Sequence, residues 1–240
     1  MSNKQQWVKI YGMERSGTNY LKWMMENNLQ DVEFTETTGW KHGEPNTDEW
    51  MSRENNTMRE RRLSEAIKDG RLTWVVCSKD PYAWIVSFIR ALESGKVLPN
   101  HYQKHDGDIL RDVITPKREY LMKPNDEEYL KQYLIKYNTR YLQWRGVHDI
   151  LVRYEDVLGN ERDTLERLAD ELGVDIVGGS VKVPDERIGP SYNKSGKGFD
   201  KSYYTEERFM EQITKAQKEA VDEFIDWDLV NDFLGYRKRV

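Results

Sequence analysis

The sequence predicts an α/β fold in one domain, with a central, mainly parallel β-sheet flanked by helices. Four segments have the apolar pattern of short strands, at 8–12, 32–37, 72–78 and 148–153, and segments of helical pattern separate them. The segment 72–78 is apolar on both sides, as a central parallel strand should be. A chain of 240 residues, 38% of them apolar, suits one such domain spanning 1–240.

The helices are expected where apolar residues recur at helical spacing between capping residues. Asp80 and Pro81 begin one helix as its N-cap and first residue, and Thr205 is expected to cap the last helix, which runs to about Ile225. The segment 94–126 shows no sustained period, and such a long insert in a compact domain is usually functional or mobile. The predicted helices cover 18–28, 57–69, 81–90, 127–144, 160–172 and 205–225.

Composition and charge exclude several classes of protein. The net charge of -5 argues against broad nucleic-acid binding, because such a surface repels the phosphate backbone. The sequence predicts no membrane-spanning segment, since no apolar run is long enough, and no signal peptide, since the amino terminus leads directly into the first strand. Cys77 is the single cysteine and has no partner for an internal disulfide. We therefore expect a cytoplasmic protein that binds neither nucleic acid nor membrane.

The turn between the first strand and the first helix is the predicted anion site. Gly12 and Gly17 allow backbone angles closed to other residues, and the first N–H groups of the following helix point into the turn. A Walker loop has the same glycine spacing but continues with Lys and then Ser or Thr, which bind the terminal phosphates and Mg²⁺. Here the cation lies within the loop, as Arg15, which predicts an anion cradle without a metal. Its members are the loop amides and Arg15, Ser16, Gly17, Thr18 and Asn19.

The run Arg15-Ser16-Gly17-Thr18 after a strand resembles the 5'-phosphosulfate loop of sulfotransferases that use 3'-phosphoadenosine 5'-phosphosulfate (PAPS). In that loop, Lys or Arg precedes Ser-Gly-Thr. Lys79 and Ser87 are similar to the family's 3'-phosphate motif, which has a basic residue at a strand end and a serine eight positions later. The family usually has Arg at the first position, whereas lysine binds phosphate as a point charge without the guanidinium fork.

The resemblance implies a third cofactor element, a basic loop near the carboxyl end that closes on the 3'-phosphate. The stretch 194–198 corresponds to it, with Lys194, Ser195, Gly196 and Lys197 as candidate contacts. A solvated flexible loop is the alternative interpretation of this stretch. The resemblance also implies a P-loop-like fold related to nucleotide kinases, PAPS as sulfuryl donor and adenosine 3',5'-bisphosphate (PAP) as product. The segment 94–126 is then expected to be a lid that faces the acceptor.

The reacting centre is predicted at the end of the second strand. Ligands of open α/β sheets bind beyond the carboxyl ends of the strands, so Lys41 and His42 should face the same crevice as the loop. His42, if its pKa is near neutral, would act as the base toward a hydroxyl or amine acceptor, either a small molecule or a carbohydrate. Lys41 would hold the sulfonate oxygens or the acceptor, and Arg15 would stabilise the leaving phosphate oxygen. A hydrogen bond from His42 to a loop carbonyl is the purely structural alternative.

The sequence is compatible with two other functions. A nucleotide kinase would bind ATP with Mg²⁺ through the same loop, although the absent Lys-Ser/Thr pair argues against it. A non-catalytic module would bind PAP without turnover. No residue pattern indicates the identity of the acceptor or the oligomeric state, and a carboxylate elsewhere in the chain is an alternative to His42 as the base.

Overall fold

A four-stranded β-sheet, parallel throughout, forms the centre of the computed structural model. Its strands are β1 (Gln6–Tyr11), β2 (Val32–Phe34), β3 (Leu72–Ser78) and β4 (Ile150–Arg153). The spatial order β2-β1-β3-β4 puts β1 and β3 in the interior, which confirms the predicted α/β fold with a parallel sheet. The structure describes residues 5–36, 38, 41–45, 51, 57–93, 126–184, 186–188 and 194–239, with the backbone alone at 186–188 and 194–198.

The register of the sheet brings the carboxyl ends of its strands together. Tyr11 pairs with Val76, and Ser78 pairs with Arg153, so β1, β3 and β4 end at the same edge. Cys77, in the central strand β3, is buried in the core. The loops that follow β1 and β3, which carry the predicted ligand residues, therefore leave the sheet side by side.

Helices cover both faces of the sheet, as a parallel sheet requires. They are α1 (Thr18–Asn28), α2 (Met58–Lys68), α3 (Pro81–Glu93), α4 (Glu127–Arg145), α5 (Tyr154–Gly159), α6 (Glu161–Leu172), α7 (Ser202–Thr205), α8 (Lys215–Phe224) and α9 (Trp227–Leu229), with a 3-10 turn at Arg208–Glu211 and a π-helical turn at Val230–Leu234. Within the described ranges, none of the helices is both long enough and apolar enough to cross a membrane. The predicted lid at 94–126 lies outside the described residues, apart from Asp126, whose side chain caps α4.

The helix α4 carries a stripe of tyrosines that recur every four residues. Tyr129, Tyr133, Tyr137 and Tyr141 are all buried, in one core with residues of α3 and α8. Leu130, Leu134 and Leu142 of α4 also lie at multiples of four residues. The first two are buried, but Leu142 is 60% exposed. Each four-residue step advances about 40° around a helix, so a row of this period keeps only part of its length in the core.

The carboxyl-terminal region differs from the predicted single helix over 205–225. Thr205 ends the short helix α7, and Glu207 has a φ of 55°, a left-handed backbone that interrupts the helix. Phe209 follows in the 3-10 turn and is buried in the core. The next helix, α8, begins only after Thr214, whose side chain is part of a capping box. The prediction was wrong because two threonines offer similar local capping signals, and the burial of Phe209 decides between them.

The basic stretch that was predicted as a loop near the carboxyl end is a strand. Lys194–Gly198 forms β6, which pairs antiparallel with β5 (Glu186–Ile188). The candidate contacts Lys194, Ser195, Gly196 and Lys197 therefore lie on a paired strand. Glycine and lysine are poor strand formers, and the pairing with β5 overrides that preference. The strand β5 lies beside α1, the helix that follows the predicted anion site.

Thr214→Ala should lower the free energy of unfolding by about 1 kcal/mol, because it removes the N-cap of α8. The matched change Thr205→Ala should alter it by less than about 0.5 kcal/mol, since the Thr205 hydroxyl makes only a long hydrogen bond of 3.4 Å to the Lys201 carbonyl. Urea unfolding of both variants measures the difference. A larger loss for Thr205→Ala would contradict the helix boundaries described above.

Candidate active site

The turn between β1 and α1 has the backbone of an anion-binding loop. Gly17 precedes α1 with a φ of 93°, and a Cβ at this position would lie 2.1 Å from the Tyr154 ring. A Cβ at Gly12 would lie 2.5 Å from Ser16 Oγ. Arg15 also has a positive φ, 71°, which is uncommon for residues other than glycine. The loop thus requires both glycines, and no side chain caps α1, so its first amides keep no side-chain acceptor.

Ser16 contributes a buried hydroxyl to this loop. Its Oγ is enclosed and has no hydrogen-bond partner among the residues that the structure describes, an unfavourable arrangement for a buried polar atom. The Ser16 carbonyl accepts a hydrogen bond from the Cys77 thiol at 3.2 Å, which fixes the loop against β3. Thr18 is buried, whereas Arg15 is exposed. A buried hydroxyl without a partner in the described residues, next to helix amides without a side-chain cap, can donate hydrogen bonds to an anionic oxygen. These donors are compatible with a phosphosulfate group in the loop.

Lys79 and Ser87 meet as their spacing in the sequence predicted. Asp80 Oδ1 accepts a hydrogen bond from the Tyr82 amide at 2.8 Å, so the chain turns directly from β3 into α3. The Lys79 side chain then lies along the first turns of α3, where Nζ donates to Ser87 Oγ at 2.9 Å. The same Nζ donates to the Arg15 carbonyl at 3.3 Å. One ammonium therefore joins the two elements that were predicted to bind phosphate.

The Lys79 ammonium is buried, and across the described ranges it forms no ion pair with a carboxylate. The residue is only 1% exposed. Burial lowers its pKa, although Tyr204 and Glu155 act against the shift. Nζ lies 4.0 Å from the ring centroid of Tyr204 and 5.1 Å from that of Tyr154. Cation–π contacts offset only part of the cost of removing a charge from water, so an anionic ligand would stabilise this cation.

The residues after the second strand reach the same loop, as predicted. The Gly12 amide donates to the Lys41 carbonyl at 3.0 Å, and His42 Nδ1 hydrogen-bonds to the Gly12 carbonyl. Lys41 Nζ donates to Asn19 Oδ1 at 2.6 Å, at the start of α1. The His42 contact is the one that the structural alternative predicted. Because a carbonyl only accepts, Nδ1 carries the proton of the neutral ring and Nε2 is the nitrogen that takes a further proton.

The His42 imidazole is neutral at ordinary pH. Burial lowers its pKa to about 4, the Glu14 carboxylate acts against this shift, and Lys41 and Lys136 reinforce it. A base must be unprotonated, and His42 meets that requirement at pH 7. Its pKa is nevertheless below the near-neutral value on which its predicted role depends, and a weaker base takes a proton less readily.

A buried ion pair beside the loop was not predicted from the sequence. Lys136 Nζ of α4 lies 3.3 Å from Glu14 Oε1, with side-chain exposures of 2% and 11%. Burial favours the neutral carboxyl, but Lys136 and His42 hold the pKa of Glu14 below its ordinary value. The available signal was the position of Lys136, three residues after Tyr133 on the buried face of α4, where a charge requires a partner.

The strand with Lys194, Ser195, Gly196 and Lys197 is described by its backbone alone, and the predicted contacts of these residues with the cofactor stay predictions. Directly after β6, the Phe199 ring lies 5.6 Å from that of Tyr20 in α1. This contact fixes the end of β6 against the helix that begins at the anion loop. The chain then continues into α7, which carries Tyr204 to the Lys79 ammonium.

Fold and site together define an α/β domain with an anion-binding strand-to-helix loop and a buried Lys–Ser pair next to it. In the part of the chain that the structure describes, no group of three or more His, Cys, Asp and Glu side chains lies close enough to hold a metal ion. Compared with protein-family models and with curated protein sequences, the chain matches none. Its function therefore has to be argued from the site.

The neutral, buried His42 predicts a loss of stability in acid. Its pKa is about 4 in the folded protein and 6.5 for an ordinary histidine, so the unfolded state binds more protons between these values. The contribution of neutral His42 to the free energy of unfolding is fully present above about pH 6.5. It is lost as the pH falls through 4, by about 3 kcal/mol in total. His42→Asn keeps an amide donor for Gly12 but does not titrate, and should lose less stability over this range. Urea unfolding at several pH values tests this, and parallel losses for both proteins would contradict it.

Lys136→Met should lower the free energy of unfolding by about 3 to 5 kcal/mol, because it leaves the Glu14 carboxylate buried without its cation. The double variant Glu14→Gln with Lys136→Met removes both charges and should recover most of that loss. Chemical denaturation of the two variants measures both values. If the single variant is as stable as the parent protein, the ion pair does not hold the loop.

Proposed function

We propose that this protein is a sulfotransferase that moves a sulfuryl group from PAPS to a hydroxyl or amine acceptor. The Lys79 ammonium, which contacts both the Arg15 carbonyl and the Ser87 hydroxyl, carries the proposal. Two neighbouring anion-binding elements suit a nucleotide with anionic groups at two separate positions, as in PAP. A nucleoside triphosphate has its phosphates in one chain, which a single Walker loop holds.

The loop residues have distinct roles in this reaction. The bound donor supplies the sulfuryl group and the phosphate that leaves. The amides at the start of α1 and the Ser16 hydroxyl hold the oxygens at the 5' end, and the Arg15 guanidinium stabilises the charge that develops on the leaving oxygen. Lys79 and Ser87 hold the 3'-phosphate. The hydrogen bond from Lys41 Nζ to Asn19 Oδ1 keeps the Lys41 ammonium at the start of α1, where it binds sulfonate oxygens or the acceptor.

His42 is the proposed base, through Nε2. The Gly12 carbonyl orients the ring through Nδ1, and Nε2 takes the proton from the acceptor as it attacks. The Glu14 carboxylate favours the charged imidazolium that results. Burial keeps the ring neutral before the reaction, so a large fraction of the protein has a base in the correct protonation state at pH 7.

A small molecule or a carbohydrate is the proposed acceptor class, with neither nucleic acid nor membrane as a partner. The net charge of -5 disfavours a polyanionic acceptor outside the local positive pocket. We also propose a cytoplasmic location, because Cys77 is a free, buried thiol and a reducing compartment keeps such thiols reduced.

Two other functions use the same loop and give different binding results. A nucleotide kinase requires Mg²⁺ for ATP, and the loop has Thr18 and Asn19 where a Walker loop has Lys and Ser or Thr. A non-catalytic module binds PAP and transfers nothing. The contact between Lys79 and Ser87 favours either PAP-binding function over the kinase.

Arg15→Ala should reduce sulfuryl transfer by about 100-fold or more, because it removes the donor aimed at the leaving oxygen. The assay measures transfer from labelled PAPS to a panel of hydroxyl and amine acceptors. The matched change Arg145→Ala removes an exposed guanidinium at the end of α4 and should leave the rate unchanged. Transfer at near full rate in Arg15→Ala would place the reacting centre elsewhere.

Calorimetry with the parent protein separates the alternatives. We expect PAP to bind with the same affinity with and without Mg²⁺, and more tightly than ATP under both conditions. Mg²⁺-dependent binding of ATP that exceeds the binding of PAP would identify a kinase. Tight PAP binding without transfer to any acceptor of the panel would identify the non-catalytic module.

A further inference from the structure

Tyr204 adjoins the Lys79–Ser87 pair, and no pattern in the sequence marks it as a functional residue. Its hydroxyl lies 3.4 Å from Ser87 Oγ, and its ring centroid lies 4.0 Å from Lys79 Nζ. Ser87 Oγ and Lys79 Nζ are themselves 2.9 Å apart. One ammonium and two hydroxyls therefore converge at one place in the crevice.

Tyr204 forms the outer side of this group. Lys79 and Ser87 are 1% and 8% exposed, whereas Tyr204 is only half-buried. Tyr204 is therefore the member of this group with the greatest access to solvent. The 3.4 Å between the two hydroxyl oxygens is longer than a strong O–H···O bond of about 2.7 Å. An anionic oxygen is thus a stronger acceptor for the Tyr204 hydroxyl than Ser87 is.

The lysine at this position makes additional donors necessary. An ammonium has three N–H groups; Lys79 directs two of them to the Arg15 carbonyl and to Ser87 Oγ, and the Tyr204 hydroxyl is a further hydrogen-bond partner of the ammonium. An arginine would offer a fork of several donors, but a lysine binds phosphate as a point charge. A phosphate monoester has three terminal oxygens to satisfy. The hydroxyls of Ser87 and Tyr204 supply the donors that the lysine lacks.

We propose that Tyr204 is a phosphate-binding residue, which with Lys79 and Ser87 forms a subsite that selects nucleotides carrying a 3'-phosphate. The inference rests on the proposed function, because it takes PAP as the ligand. Tyr204 follows β6 by only a few residues in the chain. Selectivity for the 3'-phosphate then depends on the hydroxyl, while the ring covers the ammonium.

Tyr204→Phe removes the hydroxyl but keeps the aromatic ring next to Lys79. We expect it to weaken PAP binding by about 10- to 100-fold, the usual loss for a hydrogen bond to a charged group. Binding of adenosine 5'-phosphate, which differs from PAP only by lacking the 3'-phosphate, should change by less than about twofold. Calorimetry with both nucleotides measures the change in selectivity, which a merely structural role of the hydroxyl would not produce.

Tyr203→Phe is the matched control. The Tyr203 hydroxyl donates to Gln212 Oε1 at 3.1 Å, and its ring packs edge-on against Tyr204 at 4.9 Å. This variant should bind both nucleotides as the parent protein does. If the parent prefers PAP over adenosine 5'-phosphate and Tyr204→Phe keeps that preference, or loses affinity for both nucleotides equally, the inference is wrong and the proposed function stands. If the parent does not prefer PAP, both are wrong.

Discussion

The Lys79 ammonium joins the two halves of the site, because it donates both to the Arg15 carbonyl in the loop and to the Ser87 hydroxyl on α3. These acceptors replace some of the hydrogen bonds of water but not its screening of the charge, and the lowered pKa of Lys79 reflects the remaining cost. In a protein of net charge -5, a cation held in this way is a buried positive charge next to the loop.

The helix α4 positions the loops around this cation through the polar ends of its aromatic side chains. The Tyr137 hydroxyl donates to the Lys79 carbonyl at 2.7 Å, the Tyr141 hydroxyl to the Cys77 carbonyl at 3.1 Å, and the Trp144 indole to the Gly43 carbonyl at 3.0 Å. Buried tyrosine and tryptophan usually find such partners. The aromatic side chains of α4 that pack in the core therefore also hold the backbone around the candidate site.

The sequence predicted the parts of the site that depend on local geometry. The bounds of α1 and the meeting of Lys79 with Ser87 follow from helical spacing over at most eleven residues. Tyr204 was not predicted because it contacts Ser87, which lies 117 residues away in the sequence. Periodicity within one element carries no information about such contacts. The predicted N-cap at Thr205 was wrong for a related reason, since Thr214 caps α8 and tertiary packing chooses between locally similar helix starts.

The two buried lysines beside the loop, Lys136 and Lys79, have different neighbours around their charge. Lys136 has a carboxylate partner in Glu14, so its charge is balanced within the protein and it serves to hold the loop. Lys79 has hydroxyl, carbonyl and aromatic neighbours, and the Glu155 carboxylate acts on its pKa without forming an ion pair with it in the described ranges. An anion that binds only the folded protein stabilises it by mass action. In the proposed function, the burial that weakens the free protein at Lys79 therefore increases the free energy gained when the anion binds, whereas the charge of Lys136 is already balanced within the protein.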